Sequence, residues 1–435
     1  MKLNLDRLAS RLEAELGGGA VTSQPELLAA RTVDGMVPCL ICSPADAEQV
    51  SAALRVCVDT DAAITPWGGG TAIEIGNLPE RVEVIIEMSK LNRVLEHDHA
   101  NLTATVQSGL TLAASQEITA GARQFVPFDV PQPHRSTIGG IIATNLNGAR
   151  RVCYGSVRDL VIGMKVALPT GEHIKAGGKV VKNVAGYDMG KLFVGSLGTL
   201  GIITEVTIRM TPIPETGATM SVSGDPAQLL ELARELSNSL LLPAAVLLLN
   251  CELSAREQNW QRGWTLAVRA EGFEETVARH LKDLKSMASK FGLLAETLEN
   301  ASHEAFWGHV CDFPLSADRL VYRITLPRAR LAEFLRTIGN WNPAGARSDI
   351  VADLASGILW LSYTPDPTVA TEFAKIVSLA EQHRGQAMML ISPAELKRDV
   401  DVWGPTPAAF FLMRKIKQQF DPKRSINPGR FVGRL

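Results

Sequence analysis

Residues 137–148 read TIGGIIATNLNG, a short apolar run interrupted by paired glycines, and they take their meaning from PWGGGTA at 66–72. Each run lies beside a segment that reads as strand. Glycine turns at positive φ and lets backbone N–H groups approach a ligand with no Cβ in the way. Successive exposed amides form an anion-binding concavity suited to phosphate oxygens. Two such runs about seventy residues apart point to one diphosphate-containing cofactor gripped from two sides.

Other nucleotide-binding patterns fail on spacing. A dinucleotide fingerprint of the G-x-G-x-x-G kind would open a helix within a βαβ unit, and neither run fits it. The phosphate loop G-x-x-x-x-G-K-[ST] occurs nowhere in the chain. Gly68-Gly69-Gly70 alone reads as a flexible turn as readily as a ligand loop. The pairing of the two runs gives it weight.

A chain of 435 residues holds two or three structural units, and with 46% apolar residues it can bury large cores. A net charge of −2 leaves no electrostatic footprint for nucleic acid. The start, MKLNLDRLASRLEAEL, places leucines on one face of an amphipathic helix stopped by Gly17-Gly18-Gly19, and it lacks the apolar core of a secretory signal. The greasiest run, 240–249, is too short to span a membrane and reads as a core strand. The expectation is a cytoplasmic protein. Six scattered cysteines read as free thiols. Cys39 and Cys42 lie in a strand, where residues three apart face opposite ways, which argues against a shared metal.

Along the chain, 37–42 reads as a strand. Ser43-Pro44-Ala45-Asp46 then supplies an N-cap, a first-turn proline and an acid for a helix reaching Asp59. Strands follow at 62–65, 82–88 and 102–107, with a helix at 111–120. The two prolines of TPIPE after Met210 mark a domain exit. Residues 225–395 then repeat helices (226–238, 273–291, 328–339, 367–383) and strands (244–250, 263–270, 320–326, 348–354, 357–363, 386–391). That rhythm suits an antiparallel sheet backed by helices. A last helix at 406–420 precedes the tail DPKRSINPGRF.

RRVCYGSVRDL at 150–160, VVKNVAGYD at 180–188 and GSLGTLGIITE at 195–205 complete the pattern. With them the chain resembles flavoproteins of the vanillyl-alcohol oxidase and UDP-acetylmuramate reductase type. Within that family it is most similar to the FAD-binding (E) subunits of the glycolate oxidase group. The resemblance runs from Val37 to SINPGR at 425–430 and is strongest between Pro66 and Glu205. It implies an α+β fold, with a two-part FAD-binding domain of the PCMH type over 1–212. An antiparallel-sheet α/β cap would cover 213–400, and 401–435 would return to the FAD domain.

The resemblance also assigns residues. The first run, Pro66, Trp67, Gly68, Gly69, Gly70, Thr71 and Ala72, would wrap the FAD pyrophosphate, with Ala72 where the family carries a serine or charged residue. The second would line the other side through Thr137, Ile138, Gly139, Gly140, Ala143, Thr144 and Asn145. Pro127 and Asp129 match the segment that approaches the flavin. Arg151, Tyr154, Gly155 and Arg158 match the next strand of the family's motif. Gly201, Ile202 and Ile203 would meet the adenine end through backbone groups, and Asn427 would approach the isoalloxazine. Lys182, Asn183 and Tyr187 would line the flavin edge. Neither glycine run holds a tethering histidine or cysteine, although His134 and Cys153 flank the second, so the FAD is expected to be noncovalent. Structural readings stand beside these: Arg158-Asp159 as a loop-ordering ion pair, Trp67 as core packing, Asp188 as a helix cap, Asn427-Pro428 as turn chemistry.

No catalytic residue is assigned. Related 2-hydroxyacid dehydrogenases carry an H-x-G-D-G-N-x-H metal motif in the cap, and this chain has none. His97 and His99 read as solvated loop histidines. His303, His309 and Cys311 lie around Trp307 without ligand spacing, and Glu381-Gln382-His383 lacks it too. No metal is expected, and no iron–sulfur spacing is present. Two functions remain. The chain is either the FAD-binding subunit of a heteromeric glycolate or D-lactate dehydrogenase, or a stand-alone flavin-dependent 2-hydroxyacid dehydrogenase. The first implies a larger FAD-linked oxidase subunit, an iron–sulfur subunit, and placement at the inner membrane through those partners.

Overall fold

The computed structural model describes residues 3–178, 188–250, 263–315, 319–339, 348–364 and 369–435. Lys182, Asn183, Tyr187 and Cys251 lie outside the described residues. By its contacts the chain divides into two compact units. One comprises Met1–Leu146, Ser156–Pro212 and Asp401–Leu435, the other Asn147–Gly155 and Ile213–Val400.

The first unit opens with the helix Leu5–Leu16. Asn4 caps it by accepting from the Arg7 amide at 3.0 Å, Leu8, Leu12 and Leu16 bury one face, and Gly17 at φ +87° ends it. The helix ending at Asp59 starts later than the sequence predicts. Ser43 donates its amide to the Ala20 carbonyl at 2.8 Å and so stays out of the helix. Asp46 is the cap of Ala47–Asp59, its carboxylate accepting from the Gln49 amide at 2.8 Å.

One sheet of this unit runs Val21–Thr22, Leu40–Cys42, Val84–Glu87, Ile64–Trp67, the last three parallel. Its edge strand, Ile64–Trp67, delivers the chain straight into the first glycine run. The other sheet is antiparallel: Val94–Asp98, Thr103–Gln107, Ile202–Arg209, Val161–Ala167, His173–Gly177. His97 therefore lies on a strand rather than in a solvated loop, 2.9 Å from the Gln124 amide oxygen, and that amide's nitrogen donates to the His99 carbonyl. Val106, Val166 and Val206 of the sheet share a core with Ile138, Ile141 and Ile142.

Among the described residues the second unit is built on eight antiparallel strands. Their order is Leu294–Glu299, Thr216–Gly224, Trp264–Gly272, Ala245–Leu249, Asp349–Asp353, Ile358–Tyr363, Leu320–Thr325, Gln386–Ile391. The mixed α+β class with antiparallel sheets is as the sequence reading expects. Register places Met220, Val268, Val246, Ala352, Leu359 and Ile324 on one face. Helices cover that face: Val277 of Glu274–Lys290 packs on Ala218 and Ala270, and Phe373 of Val369–Gln382 stacks on Tyr322. The opposite face carries Thr219, Arg269, Glu271, Asp353, Trp360, Ser362 and Arg323.

Candidate functional site

The two glycine runs, far apart in sequence, touch in space within the first unit. A Cβ at Gly68 would collide with the Thr137 hydroxyl, and one at Gly69 would overlap the Arg135 carbonyl, whose carbon would lie 2.6 Å away. The Thr71 and Ser136 hydroxyls meet at 3.0 Å, and the Arg135 guanidinium donates to the Gly69 carbonyl at 3.2 Å. Glycine is required here by close approach. The amides of residues 68–72 have no hydrogen-bond partner among the described residues, and all five residues are half-buried. A run of unpartnered amides of this kind is a nest for anionic oxygens.

The second run works differently from expectation. It is the first turn of a helix, Ile138–Thr144, capped by the Thr137 hydroxyl, which accepts from Gly140 at 3.3 Å. The Ile138 and Gly139 amides donate to Leu110 and Ser108 carbonyls at 2.9 and 2.7 Å. Its amides are thus engaged within the protein. Gly139 is needed because a Cβ would sit 2.7 Å from the Ser108 Cβ, whereas one at Gly140 would meet only the Thr137 hydroxyl, at 3.1 Å. Neither glycine has positive φ, so packing and not backbone strain fixes their identity.

Three other segments converge on these runs. Gly195 and Leu197 donate amides to the Ile142 and Ala143 carbonyls at 2.9 and 2.8 Å, folding the GSLGTL segment over the end of the helix, where Asn145 sits at φ +53°. Gly198, at φ +65°, approaches Pro66 and Asn427 so closely that a Cβ there would lie 3.4 Å from the proline ring. The tail closes the arrangement: Ile64 donates to Ser425 at 2.7 Å and Asn427 to Ile64 at 2.8 Å. The Asn427 side chain donates to the Leu197 carbonyl at 2.7 Å. Its Oδ1, the Asn145 Oδ1 and the Ser108 Oγ are buried with no partner. Three buried polar oxygens left unmatched in one region leave room for a ligand's donors.

Several predicted residues have further neighbours of their own. The Trp67 indole packs in a core with Val33, Ile41, Val82 and Ile85, the Arg31 guanidinium 5.4 Å above its ring. Pro127 and Asp129 are buried, between the core residues Val126, Phe128 and Val130. Ile202 and Ile203 are paired with Ala167 and Val166, and a Cβ at Gly201 would lie 2.8 Å from the Val166 side chain. Arg151, Tyr154, Gly155 and Arg158 do not form a strand. Gly155 at φ +95° separates the helical turns Arg151–Tyr154 and Val157–Leu160, and the strand begins only at Val161. Asp159 does not act through Arg158. It forms a capping box with Ser156, accepting from its amide at 2.9 Å and its hydroxyl at 2.6 Å.

The sequence reading missed Arg430, Lys417 and Ser108. Arg430 is buried beside Asp34, 3.4 Å away, and donates to the Ile73 and Ile75 carbonyls just after the first run. The buried Lys417 donates to Thr199 at 2.7 Å, Ile426 at 3.0 Å and the Asp421 carboxylate at 2.7 Å. Asp421 in turn accepts from the Ser425 and Ile426 amides at 2.9 Å. These cations hold the tail against residues 73–75 and 199. Arg430 ends the run DPKRSINPGR and Lys417 lies just before it, but their carbonyl partners at 73, 75 and 199 are distant in sequence.

In the second unit Tyr154 and Arg150 meet Glu271, at 2.7 and 3.7 Å, and Arg269 lies 2.5 Å from the same carboxylate. Burial and Glu271 push the Tyr154 phenol well above its usual range. His303 is buried with its Nδ1 2.9 Å from the Thr219 hydroxyl, and burial and the nearby Arg269 lower its pKa to about 4. Asp353 closes a turn, accepting from the Ser356 hydroxyl and from the Ala355 and Ser356 amides at 3.0 and 3.1 Å. Burial outweighs these bonds and raises its pKa to about 6. The folded protein therefore holds this proton more tightly than the unfolded chain does. The group's contribution is full below its ordinary value near 3.8 and declines as pH rises through 6, by up to about 1.4 kcal/mol per unit. Asp353→Asn keeps the acceptor oxygen. Urea unfolding is expected to find it more destabilised relative to wild type at about pH 4.5 than at about pH 6.5. A pH-independent difference would contradict this assignment.

An FAD binding domain family matches residues 38–177, the span that holds both glycine runs. The glycolate oxidase subunit GlcD of Bacillus subtilis is 28% identical over 92% of this chain and 90% of its own length. This chain is an FAD-linked oxidoreductase, similar to proteins named glycolate oxidase subunit and D-lactate dehydrogenase. A mitochondrial D-lactate dehydrogenase [cytochrome] of Arabidopsis thaliana is 38% identical, over 41% of this chain and 31% of that protein. Among solved structures, p-cresol methylhydroxylase with substrate bound superposes with a TM-score of 0.78 at 15% identity, covering 99% of this chain and 97% of that one, a likeness of fold. Among the described residues of the oxidoreductase no helix is long and apolar enough to cross a membrane. The cradle fits FAD on its own chemistry: unpartnered amides at 68–72 for phosphate oxygens and unmatched buried oxygens at 108, 145 and 427 for donors.

Proposed function

We propose that this FAD-linked oxidoreductase is the FAD-binding subunit of a heteromeric dehydrogenase for glycolate or D-lactate. It would work with a larger FAD-linked subunit and an iron–sulfur subunit that carries electrons onward. The observation that carries this reading is the full-length similarity to a protein itself named a glycolate oxidase subunit. The engagement of the titratable groups on the second unit's polar face supports it. Tyr154 is committed to Glu271, His303 to Thr219 and Asp353 to its own turn, whereas hydride removal from a hydroxyacid calls for a base free to take the hydroxyl proton.

In this reading 1–212, closed by 401–435, is the FAD domain and 213–400 the cap. Residues 66–72 receive the phosphates, Thr137, Ile138, Gly139, Gly140, Ala143, Thr144 and Asn145 form the opposite wall, and Gly201, Ile202 and Ile203 serve the adenine end. Asn427 faces the ring system. Bound there, FAD supplies a two-electron acceptor that also passes electrons singly. Pull-down of the tagged chain from its native host, followed by mass spectrometry, is expected to bring down a larger flavoprotein and an iron–sulfur protein in fixed ratio. Recovery of the chain alone would contradict the subunit reading.

Two further outcomes are expected. Acid precipitation should leave a colourless pellet and a yellow supernatant, since neither run offers a tethering residue; flavin on the pellet would contradict noncovalent binding. With no dinucleotide fingerprint present, NADH and NADPH should reduce the flavin no faster than buffer controls. Rapid anaerobic bleaching by NADPH would favour a reductase of the acetylmuramate type.

A further inference from the structure

The polar face of the second unit's sheet holds a guanidinium group that no carboxylate among the described residues neutralises. Arg323 lies on the strand Leu320–Thr325, with Trp360 as its cross-strand partner, and Ser362 pairs with Val321 on the same face. Arg319, two residues before Val321, shows what such a cation finds elsewhere on this face: it pairs with the Asp349 carboxylate at 2.7 Å and donates to the Ser362 carbonyl at 3.1 Å. Arg323 has no such carboxylate among the described residues, and its Nε is enclosed without a partner. Arg323 and its cross-strand partner Trp360 stand together on this face.

Unsatisfied groups collect around them. The Trp360 Nε1 and the Ser362 Oγ are buried without partners. Three donors, the Arg323 Nε–H, the indole N–H and the seryl O–H, thus lack acceptors on one patch of sheet. The asymmetry has a physical meaning. Enclosing a charge without a counter-ion is costly, and buried donors left unpaired call for a partner that completes them. The missing partner is a planar anion with two acceptor oxygens, which guanidinium binds in a fork. Met388, across from Arg323, and Val351, across from Trp360, are apolar and suit a small ligand.

We propose that Arg323, with the Trp360 indole N–H and the Ser362 hydroxyl, forms a binding site for a small carboxylate. This deepens the proposed function, since a 2-hydroxyacid is a member of that class, but it is tested separately from subunit assembly and from flavin binding. Oxalate is the probe, because it carries the carboxylate and has no hydroxyl to oxidise.

Calorimetric titration of the FAD-loaded chain with oxalate is expected to give saturable binding. Arg323→Met should weaken it at least tenfold with unchanged flavin content. Arg323→Lys should recover part of the loss, and Trp360→Phe, which removes only the ring N–H, should weaken binding a few-fold. Equal affinity in Arg323→Met and wild type, absence of saturable binding in wild type, or tighter binding of inorganic phosphate than of oxalate would each overturn the proposal. If Arg323→Met does not fold, Trp360→Phe decides: unaltered affinity there also overturns it. Recovery of the chain alone from its native host, with oxalate binding intact, would count against the proposed function and leave this site standing.

Discussion

Gly69→Val is expected to yield protein without flavin. The backbone at 69 lies against the Arg135 carbonyl so closely that even a methyl group would overlap it. The two segments must therefore separate, or the loop must rotate, and either movement redirects the unpartnered amides of 68–72. Overpacking alone costs about 1–3 kcal/mol in an ordinary core, and here the obstacle is backbone that cannot change rotamer. The flavin-to-protein absorbance ratio should fall at least tenfold from the wild-type value. Gly140→Ala is the matched control, because its added carbon meets only a threonine hydroxyl at 3.1 Å. It should keep its flavin. Equal flavin content in Gly69→Val and wild type would remove the first run from the site.

The second large effect is expected from Lys417→Met. Lys417 and Asp421 are buried together, and the ammonium also ties the Thr199 and Ile426 carbonyls. Burial lowers the lysine's pKa, and Asp421 opposes that shift, so the pair is held by mutual neutralisation. Removing one partner leaves a buried carboxylate uncompensated, at about 3–5 kcal/mol. At roughly 2–4 °C per kcal/mol for a unit of this size, the melting transition should drop by roughly 10 °C. The double variant Lys417→Met with Asp421→Leu should recover part of the loss, since it leaves no orphaned charge. A single variant as stable as wild type would show that the tail is not anchored here. Because Ser425 and Asn427 border the cradle through Ile64, flavin retention should fall alongside stability.

Much of this was legible in the sequence, for identifiable reasons. Apolar runs at 245–249, 264–272 and 358–363 mark strands whose neighbours are all antiparallel, so the cap-like sheet could be read locally. The strands Thr216–Gly224 and Leu294–Glu299 escaped. The first carries glycines and serines on a face that is buried yet polar, and the second is an edge strand with four of its six residues exposed, so neither alternates cleanly. The glycine runs were legible as a pair, but not their division of labour. The amides of 138–140 are consumed by Leu110, Ser108 and Thr137, partners that no local pattern announces. Arg430 and Lys417 were invisible for the same reason: a buried cation looks like a surface cation until its distant partners are known. Arg151 was singled out by resemblance, whereas the structure groups it with the second unit.

The central claim is that this chain holds FAD but depends on partner subunits to oxidise hydroxyacid. Anaerobic stopped-flow with the purified, FAD-loaded single chain tests it most directly, with glycolate and D-lactate in turn. A positioned base is worth roughly 10²–10⁴-fold in such a step, and the candidates on the second unit's polar face are otherwise engaged. The account therefore predicts little or no bleaching of the flavin on the turnover timescale, and reduction once the larger flavoprotein and iron–sulfur subunits are added. Complete reduction of the single chain by either acid at catalytic rates would contradict it and make this chain the dehydrogenase itself.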